Sequence, residues 1–571
     1  MSAAVFVLYL VLAARDVMFG DGPELTAAAI DNTVAHPPGY PLWIVLGHLA
    51  ALIPLGAPAF RVNATASFYH ALTAGIVYLT AFALVRRQLA ALFAAVLVAL
   101  DSPLYVSWSL QAEVFSLNDL FAAAIVFVCV LWAADPRRWR LIVPLAALFG
   151  FGLSNHQSLV LLAPLPLWPL YCSRNVIRGD PQASLVIAAS AVLAPIAFML
   201  PYVHTLAASE ALRGWHFGAA RTLAELRDLI ERRAYGGFNL VPRAEDQGGN
   251  VFDRLIAFAS ADGWPLAVML AGAAVALLQR RRESVLALLI VLFPLVAFCA
   301  IANIAVADPL LRATFQRFGL LSLTALAPFA AYMVLRFEWI GVGVALVAAC
   351  FTLPKLSLAN AHGPRVLFED ISQALPARAI LVTAGDPVDQ PPVYFQRIEH
   401  WRRDVTVVAY GLLDLRAYVV ALRESMAVPD AVGLPYAPQA RRDLLAYANR
   451  ERPFYTTGER AIHAPGPRYH PDVYGVVSRM VENGSHSDLA RRFRIETALE
   501  SAPGYGDVPS DRWWTNGFGS SVREYYAGGF FSAGYDAELL GNRIAAKYWY
   551  ERAREYFNDP MIAARIKALN R

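Results

Sequence analysis

FAAAIVFVCVLWAADPRRWRLIVPLAALFG, residues 121–150, decides what kind of molecule this is. Two apolar runs enclose a short turn that carries Asp135, Pro136 and the arginines Arg137, Arg138 and Arg140. Taken to their limits, the runs cover 114–134 and 139–154. Crossing the roughly 30 Å hydrocarbon layer of a bilayer takes about 20 mainly apolar residues. The stretch therefore reads as one membrane span, a basic turn and a second, shorter span.

Working outward, the same reading gives about eleven spans: 1–18, 62–85, 89–108, 114–134, 139–154, 157–172, 182–206, 263–279, 284–306, 317–336 and 338–356. Pro164, Pro166 and Pro169 break or tilt the sixth. The first reads as an uncleaved signal-anchor, since it has no basic segment before it. Composition agrees. Residues 1–356 are 12% charged and residues 357–571 are 24% charged, the second figure being ordinary for a globular domain. The expected organisation is a transmembrane domain over 1–356 and a soluble domain over 357–571. Disordered, collagen-like and disulfide-scaffold classes are excluded. The four cysteines (Cys129, Cys172, Cys299 and Cys350) all sit in apolar runs without metal-ligand spacing.

Basic residues in short loops mark the cytoplasmic side of a membrane protein. Here they are Arg86 and Arg87, Arg137, Arg138 and Arg140, Arg174 and Arg178, Arg280 to Arg282, and Arg336. The expected path is multi-pass in the cell (inner) membrane, with a cytoplasmic N-terminus and an extracytoplasmic, periplasmic C-terminal domain. On that map the unusual polar residues gather on the outer face: Asp21, Glu24 and His36, then Asp101, Gln111 and Glu113, Asn155 and His156, Trp215, His216 and Tyr235, and Arg312 and Arg317. A transporter would more naturally keep such residues near the midplane, in paired broken helices of two related halves.

The sharpest cluster is GDGPELTAAAIDNTVAHPPGYP, residues 20–41. Asp21 before Pro23 is ordinary helix-start chemistry. The pair Asp21 and Glu24 also suits general-base catalysis on an acceptor hydroxyl, or the binding of a divalent cation. Three prolines and a glycine make HPPGYP (36–41) a rigid elbow that would hold His36 and Tyr40 over a pocket. Glu113, Asn155 and His156 stand at span ends, where they serve either backbone satisfaction or substrate binding. Arg317 is the cation expected to face a phosphate, because its planar fork matches phosphate oxygens.

These segments, in this order, resemble one membrane family. GDGPEL followed by VAHPPGYPLW is similar to its "GDSGEL … HPPGYPL" opening, and AEVFSLNDLF (112–121) and FGLSNHQSLVLL (151–162) continue the likeness. So do Trp215 with Tyr235-Gly236, and AILVTAGDPVDQPPVYFQRIEHWRRDVTVVAY (379–410). The family, long of unknown function, includes a eukaryotic transmembrane protein O-mannosyltransferase that acts on plexin-type domains. The resemblance covers roughly residues 16–410 and implies a glycosyltransferase of the GT-C architecture. Such an enzyme moves a sugar, mannose or another hexose, from a polyprenyl-phosphate donor to a hydroxyl on a protein, glycan or lipid. By the resemblance Asp21 takes the catalytic acidic position with Glu24 close behind. His36, Tyr40, Glu113, Asn155, His156, Trp215, Tyr235 and Arg317 are the expected substrate-binding residues. The lipid-linked sugar is a substrate, no resident cofactor follows, and metal dependence is left open. Nucleic acid is not expected as a partner. Two departures stand out: Gly22-Pro23 replaces the family's Ser-Gly, and Trp401-Arg402-Arg403-Asp404 stands where Arg-Pro-Asp is usual. The rival reading is a transporter or flippase of a lipid-linked or small polar substrate.

Beyond the spans, AILVTAG and DVTVVAY read as strands flanking a helix at 392–401, a small α/β unit over about 376–412. Asp386, after the first strand, is either a ligand group or a helix cap. Residues 411–460 and 475–500 read as amphipathic helices and loops. The tail, about 520–571, alternates aromatic and small residues as tetratricopeptide (TPR-like) helices do, and is expected to dock the acceptor or act as a lid.

Overall fold

A computed structural model of the chain describes residues 1–211, 218–237, 240, 247–413, 418, 422, 452–457, 469–482, 489, 493 and 517–570. The chain divides into two compact units. The first holds Met1–Arg15, Ala28–Ala211 and Gly218–Asn360; the second takes Asp16–Ala27 together with Ala361–Arg571.

The first unit is helical. Among the described residues five helices are long and apolar enough to cross a membrane: Pro58–Val85, Phe115–Ala134, Ala183–Ser209, Arg282–Ile301 and Glu338–Leu356. Two bent pairs raise the number to seven, Gln88–Asp101 with Pro103–Ser109 (68°) and Val251–Asp262 with Trp264–Leu278 (109°). The first bend falls at Ser102-Pro103, where the proline ring excludes a continuing helix and the Ser102 hydroxyl accepts from Tyr105 N–H at 3.2 Å. Pro294 acts more gently, widening the helix into a π-turn over Val291–Ala297.

Several expected spans turn out shorter or broken. The run 1–18 yields only the helix Ser2–Leu12. It stops because other groups claim the next backbone atoms: Asn63 Nδ2 donates to Ala14 O at 2.9 Å, and Ala14 N–H donates to Leu110 O at 2.9 Å. Residues 157–172 hold a 3-10 turn, Gln157–Leu162, and then the start of the helix Leu167–Arg178, as the prolines between them dictate. Residues 317–336 wind through 3-10, α and 3-10 segments.

Helix Pro58–Val85 packs on Phe115–Ala134 and carries the polar core. His70 Nδ1 lies 2.7 Å from Ser109 Oγ, and His70 Nε2 lies 3.1 Å from Asp119 Oδ2. The His70 ring stacks on Tyr105 at 4.0 Å. Buried polar groups in an apolar medium are costly unless paired, and here the partners come from three segments, which fixes their mutual register. Helix Ile142–Asn155 meets helix Ala183–Ala211 backbone to backbone: a Cβ on Gly150 would stand 2.4 Å from Ala194 O. Leu185, Val192, Ile196, Leu200 and Val203 on one helix, and Trp339, Ile340, Val344, Val347 and Phe351 on another, are exposed. Continuous apolar faces of that kind suit lipid.

The second unit is built on a five-stranded sheet of order β2-β1-β3-β5-β4, with β1 (Ile380–Thr383), β2 (Thr406–Ala409), β3 (Phe454–Thr457), β4 (Tyr469–Tyr474) and β5 (Val477–Glu482). β1 pairs parallel with both β2 and β3, starting Ile380 to Thr406 and Ile380 to Phe454. β5 runs antiparallel to β3 and β4. Helices Gly363–Ala374 and Pro391–Arg397 pack on each other through a Phe368–Phe395 stack at 5.3 Å, with Trp401 edge-on to Phe368. The expectation of helix at 475–500 is overturned at Val477–Glu482, and that at 411–460 is overturned at Phe454–Thr457. From Ser478 to Met480 burial alternates buried, exposed, buried, a period of two rather than 3.6. Gly475, at φ +63°, makes the tight turn that returns β4 into β5. Most of the remaining residues of 411–460 and 475–500 lie outside the described ones. The tail forms three helices, Gly517–Leu539, Arg543–Tyr556 and Pro560–Leu569. Tyr526 OH donates to Asp370 at 2.7 Å, tying the first of them to helix Gly363–Ala374.

Candidate functional site

In the first unit the elbow is as stiff as its sequence implies. The Gly39 N–H donates to His36 O at 2.7 Å, Gly39 sits at φ +94°, and Tyr40 occupies the left-handed region (φ 44°, ψ 47°) directly before helix Pro41–Ala51. A tyrosine there is held at a cost of roughly 1–2 kcal/mol, so its neighbours must fix it. His36 Nε2 lies 3.2 Å from Tyr40 OH. Tyr202 OH donates to Pro38 O at 3.3 Å. Gly218 and Leu229 pack against Ala35 and Gly39.

The elbow presents Tyr40 to His156, whose ring lies parallel to it at 6.0 Å between centroids. His156 in turn contacts Phe115 at 4.8 Å and Phe318 at 5.7 Å. The Arg317 guanidinium also lies against Phe115, at 5.4 Å from its centroid. Arg317 Nη1 donates to Glu113 Oε1 at 3.0 Å, with side-chain exposures of 11% and 2%. The Glu113 carboxylate also accepts from Val114 N–H at 3.2 Å, at the start of helix Phe115–Ala134, where negative charge is favoured.

Glu113 is positioned through its backbone by distant side chains. Trp43 Nε1 donates to Glu113 O at 3.1 Å, Asn155 Nδ2 to Val114 O at 3.1 Å, and Ser67 Oγ to Ser109 O at 2.8 Å. Asn63 Oδ1 accepts from Ala112 N–H at 2.8 Å. Four side chains from three helices thus fix residues 109–114.

Five of the sequence-selected residues (His36, Tyr40, Glu113, His156 and Arg317) therefore form one run of contacts, and Asn155 braces it. Tyr235 stands on a separate short turn, Arg233–Tyr235, under the Arg232 guanidinium at 5.2 Å. That turn's approach is fastened beside His156 by Gln157 Nε2 donating to Ile230 O at 2.6 Å. Arg312 donates to Val306 O at 2.8 Å. Trp215 lies outside the described residues. Sequence reading missed Trp43, Asn63, Asn118 and Ser158. Trp43 follows directly after HPPGYPL, and Asn63 and Asn118 interrupt apolar helices, which is the signal that would have found them.

Asp21 and Glu24 belong to the second unit. The Asp21 carbonyl accepts from Leu25 N–H at 2.9 Å, so Asp21 directly precedes helix Gly22–Asp31 in capping position, and Glu24 is buried in its first turn. The segment is fastened by Arg365, which holds Asp16 and donates to both Glu399 oxygens at 2.8 and 2.6 Å. Phe19 packs against Gly363 so closely that a Cβ there would lie 2.6 Å from its ring. In the same unit Gly385 N–H donates to Asp389 Oδ2 at 3.0 Å, so Asp389 closes the turn that Asp386 opens. Among the described residues no three His, Cys, Asp or Glu side chains come together to hold a metal ion.

Several known proteins are similar to this chain. The model of the TMEM260 protein O-mannosyl-transferase N-terminal domain matches residues 21–177. The chain is 28% identical over 453 residues to protein O-mannosyl-transferase TMEM260 of Mus musculus, covering 73% of this chain and 62% of the mouse protein. It is 22% identical over 583 residues to the Dictyostelium discoideum protein of that name, covering 89% of this chain and 70% of that one. In fold it resembles ArnT from Cupriavidus metallidurans in the apo state (TM-score 0.52, 13% identity, 84% of this chain and 96% of ArnT). It resembles ArnT bound to undecaprenyl phosphate as well (TM-score 0.50, 13% identity, 85% and 98%). The expected helical, GT-C-like fold is borne out at that level. The chain is thus similar to the TMEM260 protein O-mannosyl-transferases, and its residues 21–177 match the model of their N-terminal domain.

Proposed function

We propose that this chain is a membrane glycosyltransferase that moves a hexose, mannose foremost, from a polyprenyl-phosphate donor to a hydroxyl acceptor. The observation that carries the reading is the Glu113–Arg317–His156 group, which lies largely within the segment shared with the O-mannosyl-transferase relatives. The relatives' name supports mannose and a protein hydroxyl, and the ArnT complex supports a polyprenyl-phosphate carrier. The reading keeps the multi-pass path, the cytoplasmic N-terminus and the extracytoplasmic C-terminal domain as part of the same proposal.

The acceptor oxygen attacks the anomeric carbon, and the bond from that carbon to the phosphate oxygen breaks with its electron pair leaving on phosphate. Asp21 takes the acceptor proton. Arg317 answers the charge that builds on the phosphate, with Glu113 orienting its fork. His36 and Tyr40 line the donor's sugar.

The test is turnover of radiolabelled polyprenyl-phosphate sugars by purified protein, wild type against Asp21→Asn. Transfer by the wild type and a loss of about 100-fold or more in the variant is expected. Full transfer by Asp21→Asn overturns the base assignment. A wild type that moves the intact lipid-linked sugar across vesicles without breaking it supports the transporter reading instead.

A further inference from the structure

His156 touches the same Phe115 ring as Arg317, and its ring chemistry is dictated by the turn it opens. It is the N-cap of the 3-10 turn Gln157–Leu162, and its Nδ1 accepts from the backbone N–H of Ser158 at 3.2 Å. A backbone N–H has only a proton to give, so Nδ1 is the lone-pair nitrogen. The Ser158 hydroxyl lies 2.7 Å from the same Nδ1. Asn118 Nδ2, from helix Phe115–Ala134, donates to that hydroxyl oxygen at 3.4 Å, which leaves the hydroxyl proton to point at the ring. Two donors thus converge on Nδ1, and in a neutral imidazole the ring proton then sits on Nε2.

We propose that His156 is locked as a neutral Nε2–H donor toward a phosphate oxygen of the lipid-linked substrate, with Ser158 and Asn118 as its positioning residues. This rests on the glycosyltransferase reading for the identity of the substrate, but the tautomer follows from the turn alone. The one basic nitrogen of a ring in this state, Nδ1, is turned to Ser158 and held by its two donors, so His156 is not placed to act as the general base. Its proper partner is an acceptor oxygen. The guanidinium of Arg317 lies against the same Phe115 ring that His156 touches, so a cation and a neutral donor flank one aromatic platform. That combination suits an anion. The anchoring turn supplies a fixed orientation, which is what a donor to developing charge needs.

Two measurements test this. In protein labelled with 15N-histidine, the signal that disappears in His156→Gln is assigned to this ring among the eleven histidines. Its nitrogen shifts should report protonated Nε2 and bare Nδ1 at neutral pH. A ring protonated on Nδ1, or on both nitrogens, overturns the proposal whatever the enzyme's activity. The second measurement separates anchoring from donation. Asn at 156 keeps a capping acceptor near Nδ1 but loses the distal donor, whereas Gln reaches the Nε2 position with an amide N–H and loses the cap. His156→Asn should keep the wild-type unfolding midpoint and lose about tenfold or more in turnover of polyprenyl-phosphate sugar, and His156→Gln should retain more turnover. Ser158→Ala should cost about fivefold or less, because the backbone cap remains. If His156→Asn turns over like wild type, the ring is only a cap and the donor role falls. A wild type that transfers no sugar at all removes the glycosyltransferase reading but leaves the tautomer result standing.

Discussion

Breaking the Glu113–Arg317 pair should reveal whether it is a brace, a substrate site or both. At an effective dielectric of about 20, opposite charges about 4 Å apart attract by ~4 kcal/mol. With the partners only 2% and 11% exposed, little of that attraction is screened by water. Removing one member leaves the other charge buried, at roughly 3–5 kcal/mol. Glu113→Gln and Arg317→Gln should therefore each destabilise the helical unit by about 3 kcal/mol. The double variant should fall well short of their sum, giving a coupling of about 2 kcal/mol or more. Titration of the purified protein in mixed micelles with SDS, followed by tryptophan fluorescence, reads the four midpoints. Additivity within about 0.5 kcal/mol would refute the pair as a buried interaction. Turnover adds the second axis. If Arg317 also meets phosphate, the double variant regains stability without regaining activity, whereas recovery of both reduces the pair to a brace.

The backbone anchors of residues 109–114 should differ in cost. Trp43→Phe removes one donor from Glu113 O, which keeps a second from the Ser116 hydroxyl at 3.0 Å, so about 1 kcal/mol is expected in the same titration. Asn63→Ala strands both Ala14 O and Ala112 N–H and should cost roughly 2–4 kcal/mol; equal effects of the two substitutions would contradict the network. In the C-terminal unit the Arg402 guanidinium, helped by Arg378 N–H, holds the Asp404 carboxyl down to about 2. A lowered carboxylate contributes stability above its unfolded value of about 3.9 and loses it as pH falls toward 2. The hydrogen-exchange protection factors of the β1 and β2 amides in the full chain, taken against the intrinsic rate at each pH, should thus fall between about pH 5 and pH 2, less so in Asp404→Asn. Identical profiles for the two proteins would sink that assignment.

Asp404 also shows how an unusual local sequence finds its use. In WRRD, Arg402 does more than pair with Asp404: its fork donates to the carbonyls of Ser372, Leu375 and Pro376. The run reads only as a charged loop until helix Gly363–Ala374 is placed beside it. The hairpin β4–β5 went unread for a different reason. Short strands with one tight glycine turn leave a period-two signal only a few residues long, which neighbouring charged residues blur. The elbow was the opposite case, because three prolines and a glycine restrict φ and ψ whatever surrounds them, and its shape followed from its composition.

What this sequence determined by itself was whatever depends on local sterics and on hydrophobic run length. The membrane character, the broken helix after Pro164, the stiff HPPGYP turn, and the carboxylates at the start of helix Gly22–Asp31 are all of that kind. Tertiary structure alone decided the partners. That Arg317 answers Glu113 across 204 positions, that Trp43 and Asn63 hold the Glu113 loop, and that Ser158 and Asn118 set the proton on His156 are outcomes of packing. A buried polar group must find its complement somewhere, but the chain's spacing does not say where. Only helices brought face to face put donor and acceptor within hydrogen-bond reach, and in an apolar surround those few pairings then fix the geometry.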